Sequence, residues 1–405
     1  MRQSSQHRLL LAGTIAAYLL IGLEVFIMIT PFAIYFYAIY GPVLEWFTAS
    51  PLTAWLMEFF LPHLVFVDDP LIKVLSHLQV LLVVGLVLFF GAAIPLYYGR
   101  LTNKGVVRFG PYAKLRHPQY LFLALSGLGM LFYWPRFIVL IFYVIMLFVY
   151  VMLARNEEWR MKREAPGAYE QYMRSTPWMF LPGNPGGRLF LLLFGRIRPR
   201  WLALMMCFVV SMSAAILLAV AIRQYTIDTL PTTRVENLQL ISVYERPPEK
   251  MQALFRQIQL SPQVQVLLES EKANMAYIMP GDYFLTGLVL EEGPRFSDAI
   301  LKRYPHLSEW YEHRFQGGVR KFLRLFRSFW KTWSYFRTVY DIERFVFVRV
   351  TDFNDQPVAV DDVLKLGVKR TPVFVVDVDY EYEEVLDVIP VSGKNLWGNL
   401  PMPNF

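Results

Sequence analysis

The sequence predicts a multi-pass α-helical membrane protein of about five spans, including a helical hairpin, followed by a C-terminal α+β domain outside the bilayer. Three observations predict this class. Of the 405 residues, 55% are hydrophobic and only 18% charged, against about 25% charged in average soluble domains. Lys and Arg outnumber acidic residues 18 to 9 over residues 1–222, whereas residues 223–405 carry 22 basic and 24 acidic residues. The long apolar runs all precede residue 223, and a mixed polar and apolar pattern follows.

Residues 9–40 exceed the ~20 residues needed to cross a bilayer. They lack a small-residue cleavage site, so a retained span is expected and not a signal peptide. A second span runs from about Val74 to Tyr98. The third and fourth, Tyr120–Trp134 and Phe137–Ala154, form a hairpin turned by Pro135 and Arg136. A fifth covers Trp201–Ile222. Glu24, inside the first span, is an intramembrane charge; it reads either as functional or as facing a wet vestibule.

Orientation follows from flanking charge. Residues 99–118 hold Arg100, Lys104, Arg108, Lys114 and Arg116 with no acid, and residues 155–200 hold nine basic and four acidic residues. Residues 41–70 have Glu45, Glu58, Asp68 and Asp69 and no Lys or Arg. The N-terminus, 99–118 and 155–200 are therefore expected in the cytoplasm, with 41–70 and the C-terminal half on the opposite side. The implied organisation is an N-terminal span and outer loop (1–73), a membrane core (74–182), an interfacial segment with the last span (183–224) and a globular domain (225–405). In a bacterium this would be a protein of the inner membrane.

In the globular domain, Phe345–Val350 and Pro372–Glu384 read as strands. Along the second, Asp377, Asp379, Glu381 and Glu383 alternate with apolar residues, which predicts one acidic face. Helices are expected at 249–259, 296–313 and 318–337. His306, Glu309 and His313 share a helical face but lack a fourth ligand, so no metal is assigned. In 318–337, Arg320, Arg324, Arg327 and Lys331 line one face beside Val319, Leu323, Phe326 and Trp330. That pattern suits anionic lipid or an ordinary amphipathic helix on a sheet. The lone Cys207 excludes a disulfide framework and cysteine-based zinc sites. The basic excess lies among apolar segments, so membrane topology accounts for it and nucleic acid is not an expected partner.

The chemistry is concentrated in Gly110–Pro182. The hairpin returns Arg116, His117 and Tyr120 to the same membrane face as Glu157 and Glu158. Ionisable groups at a bilayer boundary suit a polar cofactor meeting an apolar substrate. Either carboxylate could take a proton or hold a polar cofactor group. Arg116 or Arg155 could grip a carboxylate or phosphate. The plainer readings stand beside these. His117 could satisfy a turn, the glutamates could be a solvated helix segment paired with Arg160 and Lys162, and Tyr169 and Tyr172 could anchor the interface.

The order Gly110-Pro111-Tyr112, Arg116-His117-Pro118-x-Tyr120, hairpin, Glu157-Glu158, Gly167-x-Tyr169-x-x-Tyr172 and Pro182 resembles the isoprenylcysteine carboxyl methyltransferase and phospholipid methyltransferase superfamily, over about residues 74–182. The resemblance implies S-adenosylmethionine as cofactor, held by His117, Pro118, Tyr120, Glu157, Tyr169 and Tyr172. Arg116, Arg155 and Glu158 become the catalytic candidates. The implied partner is a membrane lipid or prenylated substrate entering between helices. One departure is Phe122, where the family usually has Gly two residues after the motif tyrosine. Two alternatives remain open: a non-catalytic scaffold with a protein partner on the C-terminal domain, and a sterol-type NADPH reductase.

Overall fold

The computed structural model describes residues 29–32, 50–61, 69–102, 107–164, 166–281, 298–303 and 342–391, together with Leu23, Phe26 and Phe47. The chain divides into two compact units. One comprises residues 1–43 and 74–222, the other residues 44–73 and 223–405. These boundaries group 44–73 with the C-terminal residues and 183–222 with the membrane helices.

In the first unit, whose boundaries cut the first turn of α1 and the last two turns of α7, α1 (Pro70–His77) leads through one 3-10 turn into α2 (Leu81–Leu101). The hairpin is α3 (Pro118–Tyr133) and α4 (Phe137–Glu164). Then come α5 (Pro166–Ser175), α6 (Pro185–Phe194) and α7 (Arg200–Thr229). Three stretches are long and apolar enough to cross a membrane: Pro70–Gly99, Phe137–Glu164 and Arg200–Thr229. They correspond to three of the five expected spans. The expected third span exists as α3, but its 16 residues give only about 24 Å at 1.5 Å per residue. The first expected span, with Glu24, falls almost wholly outside the described residues.

What joins α2 to α3 is the absence of side chains. A Cβ on Gly85 would collide with the backbone of Ser126, and one on Gly129 with the backbone of Leu82. Close approach of this kind, by small residues, is how helices associate where lipid removes any hydrophobic preference for the protein interior. Ser126 Oγ donates to the Leu82 carbonyl at 3.0 Å, and Tyr143 Oη on α4 donates to the Ala124 carbonyl of α3 at 3.1 Å. Two glycines and two hydroxyls thus set the geometry that carries the site.

The second unit contains a six-stranded sheet in the order β1 (Thr232–Val235), β2 (Leu238–Ser242), β3 (Met275–Pro280), β4 (Ile342–Thr351), β5 (Lys369–Asp379), β6 (Val385–Pro390). Neighbours are antiparallel except β2 and β3, which are parallel. Parallel neighbours require a crossover, and α8 (Pro248–Gln259) with α9 (Pro262–Glu271) supplies it. Met251, Leu254, Phe255 and Ile258 of α8 pack on Phe345, Phe347, Phe374 and Val376 to form the core. Of the expected helices, 249–259 is α8. Only Asp298–Arg303, here α10, is described from 296–313. The 318–337 helix and the His306, Glu309, His313 group lie outside the described residues.

The expected acidic face of the late strand is not formed. Asp377 is fully buried, and Arg344 donates to it through Nε at 2.6 Å and Nη2 at 2.8 Å. Glu381 and Glu383 belong to the turn between β5 and β6. Alternation predicts a half-wet strand, whereas β5 is buried on both faces and neutralises its inward charge with a planar guanidinium fork.

Within this unit Glu58 joins the 50–61 segment to distant parts of the chain. Its Oε2 accepts from Arg223 Nη2 and from Arg370 Nη1, each at 3.1 Å, and its Oε1 accepts from the Gly367 amide. Both arginines also donate to backbone carbonyls, Arg223 to Leu364 and Arg370 to Val363 and Lys365.

Candidate active site

The site is built where two loops run alongside each other before the hairpin begins. The Arg116 amide donates to the Trp178 carbonyl at 2.9 Å and the His117 amide to the Met179 carbonyl at 3.1 Å. Pro118 then opens α3, where a missing N–H costs nothing and the fixed φ suits the first helical turn. His117 is thereby held at the helix start by backbone pairing, with its side chain facing α4.

His117 is buried, and each ring nitrogen faces a different carboxylate. Nδ1 lies 3.2 Å from Glu157 Oε2, and Nε2 lies 3.4 Å from Glu158 Oε1. Neither contact is aligned as a hydrogen bond, so the imidazole is surrounded by charge without being committed to a donor direction. Burial by itself would lower its pKa, but the two carboxylates outweigh burial and raise it above the ordinary histidine value. A neutral ring offers one N–H only, whereas two facing carboxylates favour the doubly protonated ring.

The glutamates are not equivalent. Glu158 is buried, and Arg116 Nε donates to its Oε1 at 2.6 Å. Glu157 keeps a third of its side chain exposed, and Tyr120 Oη donates to its Oε1 at 2.7 Å. The cluster therefore has a closed side at Arg116 and Glu158 and an open side at Glu157. Its anionic, imidazole and phenol groups can accept from hydroxyls or an ammonium group and can exchange a proton.

The remaining candidates fall into two sets. Arg116 Nη1 also donates to the carbonyls of Thr176 and Pro177, at 3.0 and 2.7 Å, so this guanidinium braces the 176–178 segment. Tyr172 Oη donates to the Tyr112 carbonyl at 2.9 Å, and the Tyr169 and Tyr172 rings sit 5.8 Å apart. Both tyrosines are buried, and Tyr172 braces the Gly110–Arg116 loop. Arg155 is exposed, and no hydrogen bond or ion pair joins it to the cluster among the described residues. Phe122 packs against Ala92, Leu96, Val107 and Tyr112, an apolar cluster between α3 and α2.

Two contributors, Gln119 and Tyr150, escape sequence reading. Tyr112 Oη donates to Gln119 Oε1 at 3.1 Å in a buried pair. Tyr150, on α4, is 2% exposed and its ring lies 5.2 Å from that of Tyr120. A tyrosine within an apolar helix carries no signal in the sequence, because only packing tells a buried hydroxyl from a lipid-facing one.

Residues 73–164 match the family model for phospholipid methyltransferases, within the isoprenylcysteine and phospholipid methyltransferase superfamily. The matched segment runs from α1 to the end of α4 and contains Arg116, His117, Tyr120, Glu157 and Glu158. No curated protein and no solved structure matches the chain.

Proposed function

We propose that this chain is a membrane methyltransferase that uses S-adenosylmethionine to methylate a lipid-borne acceptor beside the α3–α4 hairpin. The observation that carries this reading is the convergence of His117, Tyr120, Glu157 and Glu158 within the segment that matches the methyltransferase family. The donor set fits the cofactor. Two carboxylates and a buried imidazole without aligned partners offer groups for ribose hydroxyls and an α-ammonium. When bound, S-adenosylmethionine would supply an electrophilic methyl group that the acceptor takes in line, the S–CH3 bond breaking and the neutral thioether leaving.

Such a reaction asks the protein for position and dryness more than for covalent help. Glu157 meets an entering polar ligand first, since its carboxylate is the exposed one and Tyr120 fixes one of its oxygens. Glu158, locked by Arg116, holds His117 in orientation. For an amine acceptor, Glu157 removes the proton. A carboxylate acceptor needs no base. Arg116 and the tyrosine pair on α5 act by holding the His117 loop in place, and exposed Arg155 is assigned no contact with the reacting groups.

The test is transfer of label from methyl-labelled S-adenosylmethionine to extracted lipid by the purified full chain in bilayer discs, with Glu157→Gln alongside. Label in lipid with the wild type, reduced about 100-fold or more in the variant, is the expected result. Equal labelling by both proteins would remove the site from the reaction.

A further inference from the structure

The stripe of α4 that faces α3 carries two tyrosines, half-buried Tyr143 and buried Tyr150, and the protein treats them differently. Tyr143 places its hydroxyl on the Ala124 carbonyl at 3.1 Å. Tyr150, two turns nearer the glutamates, has a buried hydroxyl with no hydrogen-bond partner among the described residues. Its neighbours along the stripe are Ala154, fully buried, and then Glu158. Glu157 lies seven residues on, roughly 10 Å along the helix. An unpartnered hydroxyl is costly anywhere in a protein interior and more so at membrane depth, where water does not substitute. The hairpin could have used phenylalanine here, as it does at Phe137, Phe142 and Phe148.

We propose that the Tyr150 hydroxyl is a binding group for the methyl acceptor, taking a hydrogen bond to the polar head of a lipid that reaches the cluster from within the bilayer. The inference rests on the methyltransferase reading and deepens it by naming where the acceptor is held. The stacking order favours acceptor over cofactor. The Tyr120 ring lies 5.2 Å from the Tyr150 ring and 6.0 Å from the His117 ring, and its own hydroxyl is engaged by Glu157. Tyr150 lies seven residues before Glu157 on α4, toward the apolar middle of the helix and away from the polar end. A phenol serves this role well, since it can donate to a phosphate or carboxylate oxygen and accept from an ammonium group.

The experiment is Tyr150→Phe in the full chain, read three ways. Without ligand in detergent, the variant should melt at the same temperature as the wild type or higher, because nothing is lost but an unpartnered hydroxyl. In bilayer discs containing phosphatidylethanolamine, and separately with a prenylcysteine, the KM for whichever acceptor is methylated should rise about tenfold or more. Affinity for S-adenosylmethionine should be unchanged. A lower melting temperature without ligand would show a structural bond and overturn the proposal. So would a wild-type acceptor KM, or a loss confined to S-adenosylmethionine affinity. If the wild type itself fails to bind S-adenosylmethionine, the broader reading falls and this one with it, a result distinct from a defect seen only in the variant.

Discussion

His117 is the residue on which most of the site's physics turns. Its raised pKa means that the folded state holds the imidazolium more tightly than the unfolded chain does. The stabilisation this gives is complete below the unfolded value of about 6.5 and is lost as pH climbs through the raised folded value. Melting temperature measured from pH 6 to 9 should therefore fall more steeply in the wild type than in His117→Gln. Parallel curves would mean that folding leaves the imidazole pKa unshifted. Arg116 acts differently. Arg116→Ala leaves Glu158 buried without its cation and releases two carbonyls, so the loss should be about 3 kcal/mol or more, seen in denaturant melts. A change under 1 kcal/mol would show that the brace is dispensable. His117, Tyr120 and the glutamates were legible in the sequence because a hairpin must bring its two ends together. The task of Arg116 was not, since a guanidinium that braces carbonyls and one that awaits a phosphate look alike in sequence.

At the scale of the element, α2 and α3 meet through glycine. Gly129→Val forces a side chain into the Leu82 backbone and should sharply lower the melting temperature and yield of folded protein. Gly91→Ala, where no atom lies within 4 Å, should leave both unchanged. Equal effects from the two substitutions would contradict the packing described. Apolar length made α2, α4 and α7 readable, because helices apolar on every face have few other environments. The sheet was only half readable. β4 and β5 are long and rich in Val and Phe, whereas β1, β2 and β3 are four to six residues each and lack the alternation of a half-exposed strand. The acidic alternation near Asp377 misled because a hairpin turn and a buried ion pair interrupt it.

At the scale of the whole molecule, we propose from the charge asymmetry that 99–118 and 155–200 face the cytoplasm. The Glu58 cluster ties residues 50–61 to the sheet unit, so the same proposal puts both on the opposite side. With Cys207 replaced, Leu52→Cys and Ser270→Cys should both react with an impermeant maleimide on intact cells, and Thr102→Cys should not. Reaction at Thr102 alone would invert the arrangement. Glu58→Ala strands two buried guanidiniums and should destabilise the sheet unit by about 3–5 kcal/mol in thermal or denaturant melts. The central claim, a cofactor site under the hairpin, is tested most directly by titrating the detergent-purified chain in a calorimeter with S-adenosylmethionine and, separately, NADPH. Heat of binding with S-adenosylmethionine alone, abolished or greatly weakened in His117→Ala, is the result expected. Binding of NADPH alone, or of neither, would contradict it.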